Sequence, residues 1–264
     1  MSSQHKNTKH KMSNIVKLHY IKFTFRLVLF LSALCLYLYN RICKTGMPFG
    51  GLEDNHLLLS LIWLCFFIEM LFRFFPSKLE SIGCQKHLSK NFEKTDVREL
   101  PRHREAAWRT FWAAISWIVP NAVFSVLYLA GVFDTGLMVL LALCYSVCDV
   151  ICILFFCPFQ TWILKNKCCV SCRIYNWDYV MMFTPFIFIK NVYTWSLLCV
   201  ALILLLHWEF VARRHPERFC EETNGRLSCR NCKEVLCHHK KQLRFVWKKG
   251  TFNLRGNTML KKEE

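Results

Sequence analysis

Long apolar blocks, most of them near the length of a bilayer crossing and separated by short polar stretches, constrain this chain more than any motif it carries. A hydrocarbon core of about 30 Å takes roughly 20 predominantly apolar residues in helical form, because the backbone has no water to bond there and must satisfy itself. Such blocks lie at about Phe23 to Ile42, His56 to Phe75, Phe111 to Phe133, Gly136 to Cys157, Ile174 to Ile189, and Val192 to Phe210. The fifth is short and contains Pro185, but fused to the sixth it would make a helix far longer than a bilayer needs. A hairpin broken at Lys190 and Asn191 is the better reading. The expected fold is therefore all-α: a polytopic helical membrane protein of about six transmembrane helices.

Charge tests the count. With the N-terminus cytoplasmic and six crossings, all of the 35 Lys and Arg except Arg41, Lys44 and Lys190 fall in or beside inner segments. Five crossings would put the strongly basic C-terminal segment on the outer face, against the positive-inside rule. Both termini are thus expected in the cytoplasm, with a basic leader at 1–22, a membrane domain at 23–210 and a basic, Cys-rich tail at 211–264. The first apolar block offers no small-x-small cleavage site, since Leu34-Cys-Leu-Tyr-Leu-Tyr-Asn is bulky, and reads as a retained signal-anchor. The net charge of +17 is mostly this topology signal. Basic residues spread over four segments and mixed with 18 acids do not make a nucleic-acid face, so no nucleic acid is expected as a partner. The lipid bilayer is the expected partner, with membrane subunits as protein partners, and the expected location is the cell membrane, multi-pass.

The chain has 16 cysteines. Cys84, Cys157, Cys168, Cys169, Cys172, Cys220, Cys229, Cys232 and Cys237 fall in segments assigned to the cytoplasm, where thiols stay reduced, so a metal site is a better reading than a disulfide framework. Cys169-Val-Ser-Cys172 and Cys229-Arg-Asn-Cys232 have the two-residue gap that turns two sulfurs toward one ion. Together they make one expected tetrahedral site joining the loop after the fourth helix to the tail. A local tail site of Cys220, Cys229, Cys232 and Cys237, with His238 or His239 as a substitute ligand, competes with it, and Cys168 is a further alternate. Zinc in a structural role is the expected cofactor, and an iron–sulfur cluster is the alternative because four cysteines serve it equally well.

Ionisable residues inside a bilayer are costly and need a reason. Asp149, near the middle of the fourth block, and Glu69, in the second, are the candidates for an intramembrane pocket, with transport or lipid-directed chemistry as its use. The bland alternative pairs them with neighbours, Arg73 being one turn after Glu69. Asn121, following Pro120 within the third block, marks a local hydrogen-bond need. Cys144, Cys148 and Cys152 recur every fourth residue and so share one helix face with soft ligand atoms. Asp178, beside Asn176 and Trp177 where the fifth block begins, adds a polar group at the inner surface.

Cys152-x4-Cys157-Pro158 resembles the Cys-x3-Cys-Pro element of membrane-bound polyferredoxin-type subunits, with a spacing one residue longer. The resemblance implies the second functional reading, an electron-transfer subunit with an iron–sulfur centre and a quinone site. No phosphate loop, His-Glu-x-x-His or Gly-x-Ser-x-Gly is present, so the sequence specifies no reaction.

Overall fold

A computed structural model of the chain describes residues 14–43, 49, 56–75, 87–95, 104–165, 172, 174–220 and 222–227. Among them the regular structure is helical. Six α-helices follow in order: α1 (Asn14–Cys43), α2 (His56–Leu71), α3 (Arg104–Leu129), α4 (Thr135–Leu154), α5 (Asp178–Phe183) and α6 (Val192–Arg214). Four of them, α1, α3, α4 and α6, are long and apolar enough to cross a membrane by length and composition.

The other two apolar blocks take shorter forms. α2 has 16 residues, about 24 Å at 1.5 Å per residue, and is continued by a hydrogen-bonded turn in which Phe72 N–H reaches Ile68 O at 3.1 Å and Arg73 N–H reaches Met70 O at 3.0 Å. The fifth block is not one helix. It runs as a 3-10 turn (Tyr175–Trp177), then α5, then a second 3-10 stretch (Thr184–Phe188) with Pro185 in its first turn. Proline lacks an N–H and so favours a restart rather than a continuous α-helix. Because a 3-10 turn rises about 2 Å per residue, the stretch from Tyr175 to Phe188 extends roughly 25 Å. It lies antiparallel to α6. The Trp177 Nε1–H donates to Glu209 Oε1 near the end of α6 at 2.7 Å, and the Phe188 ring sits 5.2 Å from Tyr128 in the last turn of α3. The break before α6 falls where the sequence placed it, with Asn191 capping the helix by accepting the Tyr193 N–H at 2.9 Å.

α4 is the centre of the bundle. In its most apolar window 44 % of residues are buried, against 11 % in those of α1 and α3, whose outward residues Val28, Leu31, Val119, Val123 and Val126 are exposed. That much exposed aliphatic surface is what lipid covers. The main core joins α2, α4, α5 and α6 through Met70, Ala142, Tyr179, Met182, Leu197, Leu204 and Trp208. α1 packs along α4. Its C-terminal end is fixed at Asp134, which caps α4 by accepting the Leu137 N–H at 2.8 Å and also accepts the Tyr37 hydroxyl at 2.9 Å.

At the opposite end, the segment between α2 and α3 meets the chain that follows α6. Lys94 and Asn224 form an antiparallel bridge, Gly225 N–H donates to Glu93 O at 2.8 Å, and His87 stacks on Phe219 at 4.4 Å. Both segments therefore lie on one face of the bundle.

Candidate functional site

The two intramembrane acids singled out in the sequence are joined by one cation that was not. Arg26 of α1 is 2 % exposed and spans between helices: its Nη2 donates to Glu69 Oε2 of α2 at 2.7 Å, and its Nη1 donates to Asp149 Oδ2 of α4 at 2.8 Å and to Ser146 O at 3.0 Å. Lys22, one turn earlier on α1, stands 3.7 Å from Glu69 Oε1. The Tyr179 hydroxyl of α5 donates to Glu69 Oε2 at 3.1 Å, and the Arg26 guanidinium lies over the Phe66 ring at 5.3 Å. Arg26 thus ties α1, α2 and α4 at one depth.

A second pair lies beside the first. Arg73, for which helix spacing suggested Glu69 as partner, donates to Asp178 Oδ1 of α5 at 2.6 Å. Its guanidinium is sandwiched near Tyr179 (4.5 Å) and Tyr175 (5.2 Å), whose ring faces favour a cation there. Lys22, Arg26 and Arg73 balance Glu69, Asp149 and Asp178, so this polar interior carries no net charge. Breaking either pair would leave a charge buried, whereas the intact set is a neutral clasp.

On the other side of Asp149 lies a cavity of about 130 Å³. α4 contributes Tyr145, Cys148, Asp149, Cys152 and Ile153, and α3 contributes Trp117. Cys157, Phe159 and Gln160 come from the turn after α4, Cys172, Ile174 and Tyr175 from the segment before α5, and Asp178, Met181 and Met182 from α5. Trp117 packs on Tyr145 at 4.5 Å. Cys148 is exposed and marks where the cavity opens. The lining is aromatic, thioether and thiol, with few polar groups, the ordinary make-up of a small-molecule site. A cavity of about 150 Å³ holds one benzene ring, and this one is slightly smaller but partly open, so it seats a single ring whose substituents extend through the opening.

Four thiols from three places in the chain meet at this cavity: Cys148, Cys152, Cys157 and Cys172. The Cys152 and Cys157 side chains interact with each other, as do those of Cys144 and Cys148 one turn away. The Cys157 sulfur also accepts the Gln160 backbone N–H at 3.4 Å. Cys157 is in place because α4 ends at Leu154 and the chain turns back through Phe155 and Phe156, both of whose N–H groups bond Ile151 O, into a π-helical turn (Phe159–Ile163). One acceptor in the wall is unused. Asp178 Oδ2 is buried with no hydrogen-bond partner among the described residues.

Of the expected metal ligands, Cys172 is buried in the cavity wall and Cys220 is half-buried after α6. Cys168, Cys169, Cys229, Cys232, Cys237 and His238 lie outside the described residues. Among the described residues no group of three or more His, Cys, Asp or Glu has the arrangement to hold a metal ion. Asn121 cross-links rather than lines the cavity: its Nδ2 donates to Trp117 O at 2.9 Å, and its Oδ1 accepts the Tyr145 hydroxyl at 3.4 Å. Asn176 is buried nearby and is not part of the wall.

Comparison with family models, curated proteins and solved structures gives no match. The short Cys152 to Pro158 resemblance therefore has no wider similarity behind it, and function is argued from the geometry alone.

Proposed function

We propose that this chain is a six-span protein of the cell membrane, with both termini cytoplasmic, that binds a small, largely apolar, single-ring ligand in the thiol-lined cavity beside Asp149. The observation that carries the reading is the cavity itself: its size, its aromatic and thioether walls, its opening at Cys148 and the unused acceptor Asp178 Oδ2. The six-span topology draws support from the roughly 25 Å run of the broken fifth block and from the contact of segment 87–95 with residues 219–225 on one face. Ion transport through Asp149 is disfavoured, because Arg26 already neutralises that carboxylate and the cluster has no net charge. Lipid-directed chemistry is compatible with the cavity, since membrane-soluble molecules reach it from the bilayer.

Structural zinc at Cys169, Cys172, Cys229 and Cys232 is a separate proposal. It rests on the two knuckle spacings and on the common face shared by the inner segments, and elemental analysis of the anaerobically purified chain tests it. About one zinc per chain, lowered in both Cys172→Ser and Cys229→Ser, is expected. Zinc unchanged in both variants would sink the assignment.

The cavity reading is tested by titrating the chain in lipid nanodiscs with tetramethylbenzoquinone, an uncharged single-ring probe that quenches tryptophan fluorescence. Saturable quenching is expected, weakened when Trp117→Phe removes the wall indole and abolished when Cys148→Phe fills the mouth. Quenching that rises without saturation, alike in all three proteins, would show partition into lipid and overturn the reading.

A further inference from the structure

We propose that Cys152 and Cys157 form a redox-active dithiol that reduces a quinone held in the cavity beside Asp149. The inference rests on the cavity being a ligand site and adds the class of ligand and the reaction.

Three observations carry it. The two thiols interact with one another across the turn that ends α4, and both border the cavity. They are not disulfide-bonded, and only Cys152 sits in the helix, so the turn containing Cys157 is free of helical geometry and can close on its partner. The Gln160 N–H bonded to the Cys157 sulfur at 3.4 Å favours the thiolate there and marks Cys157 as the attacking atom. The remaining wall suits the ligand and its product: aromatic faces at Trp117 and Tyr175 for a ring, and the vacant acceptor Asp178 Oδ2 for a hydroxyl of the quinol once it has formed.

The chemistry balances without a further cofactor. Closing a dithiol to a disulfide releases two electrons and two protons, and reducing a quinone to a quinol takes up the same. The Cys157 sulfur bonds a ring carbon while the displaced electron pair moves to a ring oxygen. Attack by Cys152 on the Cys157 sulfur then forms the S–S bond, breaks the S–C bond and leaves the second electron pair on the ring. The two thiol protons end on the two ring oxygens, making them hydroxyls, one of which can donate to Asp178. Thiol–disulfide exchange with small cytosolic thiols returns the pair to its reduced form.

The test uses the full chain in nanodiscs, reduced and handled without oxygen, with one equivalent of tetramethylbenzoquinone. Its fully substituted ring has no ring hydrogen to lose, so the S–C adduct cannot be trapped as a thioether and proceeds only through attack by the second thiol. One quinol per chain by absorbance, and a Cys152–Cys157 disulfide by peptide mass mapping, are expected. Cys152→Ser and Cys157→Ala should each reduce quinol formation to that of empty nanodiscs while keeping saturable fluorescence quenching, which also reports that they fold. Cys144→Ala should behave as wild type. Saturable quenching in wild type with all thiols left reduced, or with a disulfide at another pair, would overturn the redox step and leave the cavity reading standing. Absence of saturable quenching would overturn both.

Discussion

Asp149 divides two regions that use polar atoms in opposite ways. On one side, the clasp of Lys22, Arg26, Glu69, Arg73 and Asp178 meets every carboxylate with a cation at 2.6–3.7 Å and draws four helices together. On the other, the cavity gathers four thiols, and the second oxygen of the clasp carboxylate Asp178 stands in its wall with no hydrogen bond among the described residues. A bilayer makes charge expensive, so charge that is fully paired is explained by architecture. Soft, weakly polar thiols cost little to bury, and four of them from three parts of the chain converging on a ring-sized space are not explained that way. The contrast teaches that the conspicuous acids mark what holds the bundle together, whereas the inconspicuous cysteines mark where it works.

The sharpest way to break the comparison is at its hub. Arg26→Met strands Glu69 and Asp149 without their cation and is expected to cost about 3 to 5 kcal/mol, read as a large fall in unfolding temperature in detergent. Replacing Arg26 together with both of its carboxylate partners in Arg26→Met, Glu69→Gln, Asp149→Asn should recover most of that loss, because a buried ion pair replaced in full is near neutral. A triple variant as unstable as the single one would show that the charges do more than answer each other. A smaller effect is expected where the fifth block is pinned to α6: Trp177→Phe removes the 2.7 Å bond to Glu209 and should cost about 1.5 kcal/mol, measured in the same assay. The least is expected at the outer end. Arg41 and Asp134 are 3.5 Å apart with an Arg side chain 72 % exposed, so Arg41→Ala should lie within about 0.5 kcal/mol of wild type. A loss at Arg41 comparable to that at Arg26 would erase the distinction between interior and surface charge.

Much of the architecture was legible because it follows from period and length. The apolar blocks gave the membrane class, and Lys190 and Asn191 gave the break before α6, but the fifth block was read as one span and its division into two 3-10 stretches around α5 was not seen. Asp149 and Glu69 were legible as exceptions to apolarity. Their partner was not, since Arg26 lies close enough to the basic leader to be counted as an inner flank, although an arginine inside an apolar run, one helical turn after Lys22, was the available signal. Arg73 was assigned to Glu69 by spacing along one helix, but the carboxylate that it reaches belongs to another helix, and nothing local to α2 encodes that. The cavity was the least legible feature. Cys148 and Cys152 share a helix face, yet Cys157 and Cys172 join them through a turn and a loop, and contacts made by irregular chain leave no periodic trace. The zinc knuckles concern residues that are mostly outside the described part of the chain, and their spacing remains the support for that proposal.

One titration bears on the whole division of labour: fluorescence quenching by tetramethylbenzoquinone in nanodiscs, run in parallel on the Arg26→Met, Glu69→Gln, Asp149→Asn triple variant and on Cys148→Phe. Saturable quenching close to wild type in the triple variant, and its loss in Cys148→Phe, is the expected result, since an uncharged ring needs the cavity and not the clasp. Loss of saturation in a folded triple variant together with retention in Cys148→Phe would contradict it, and would move the working site from the thiols to the charges.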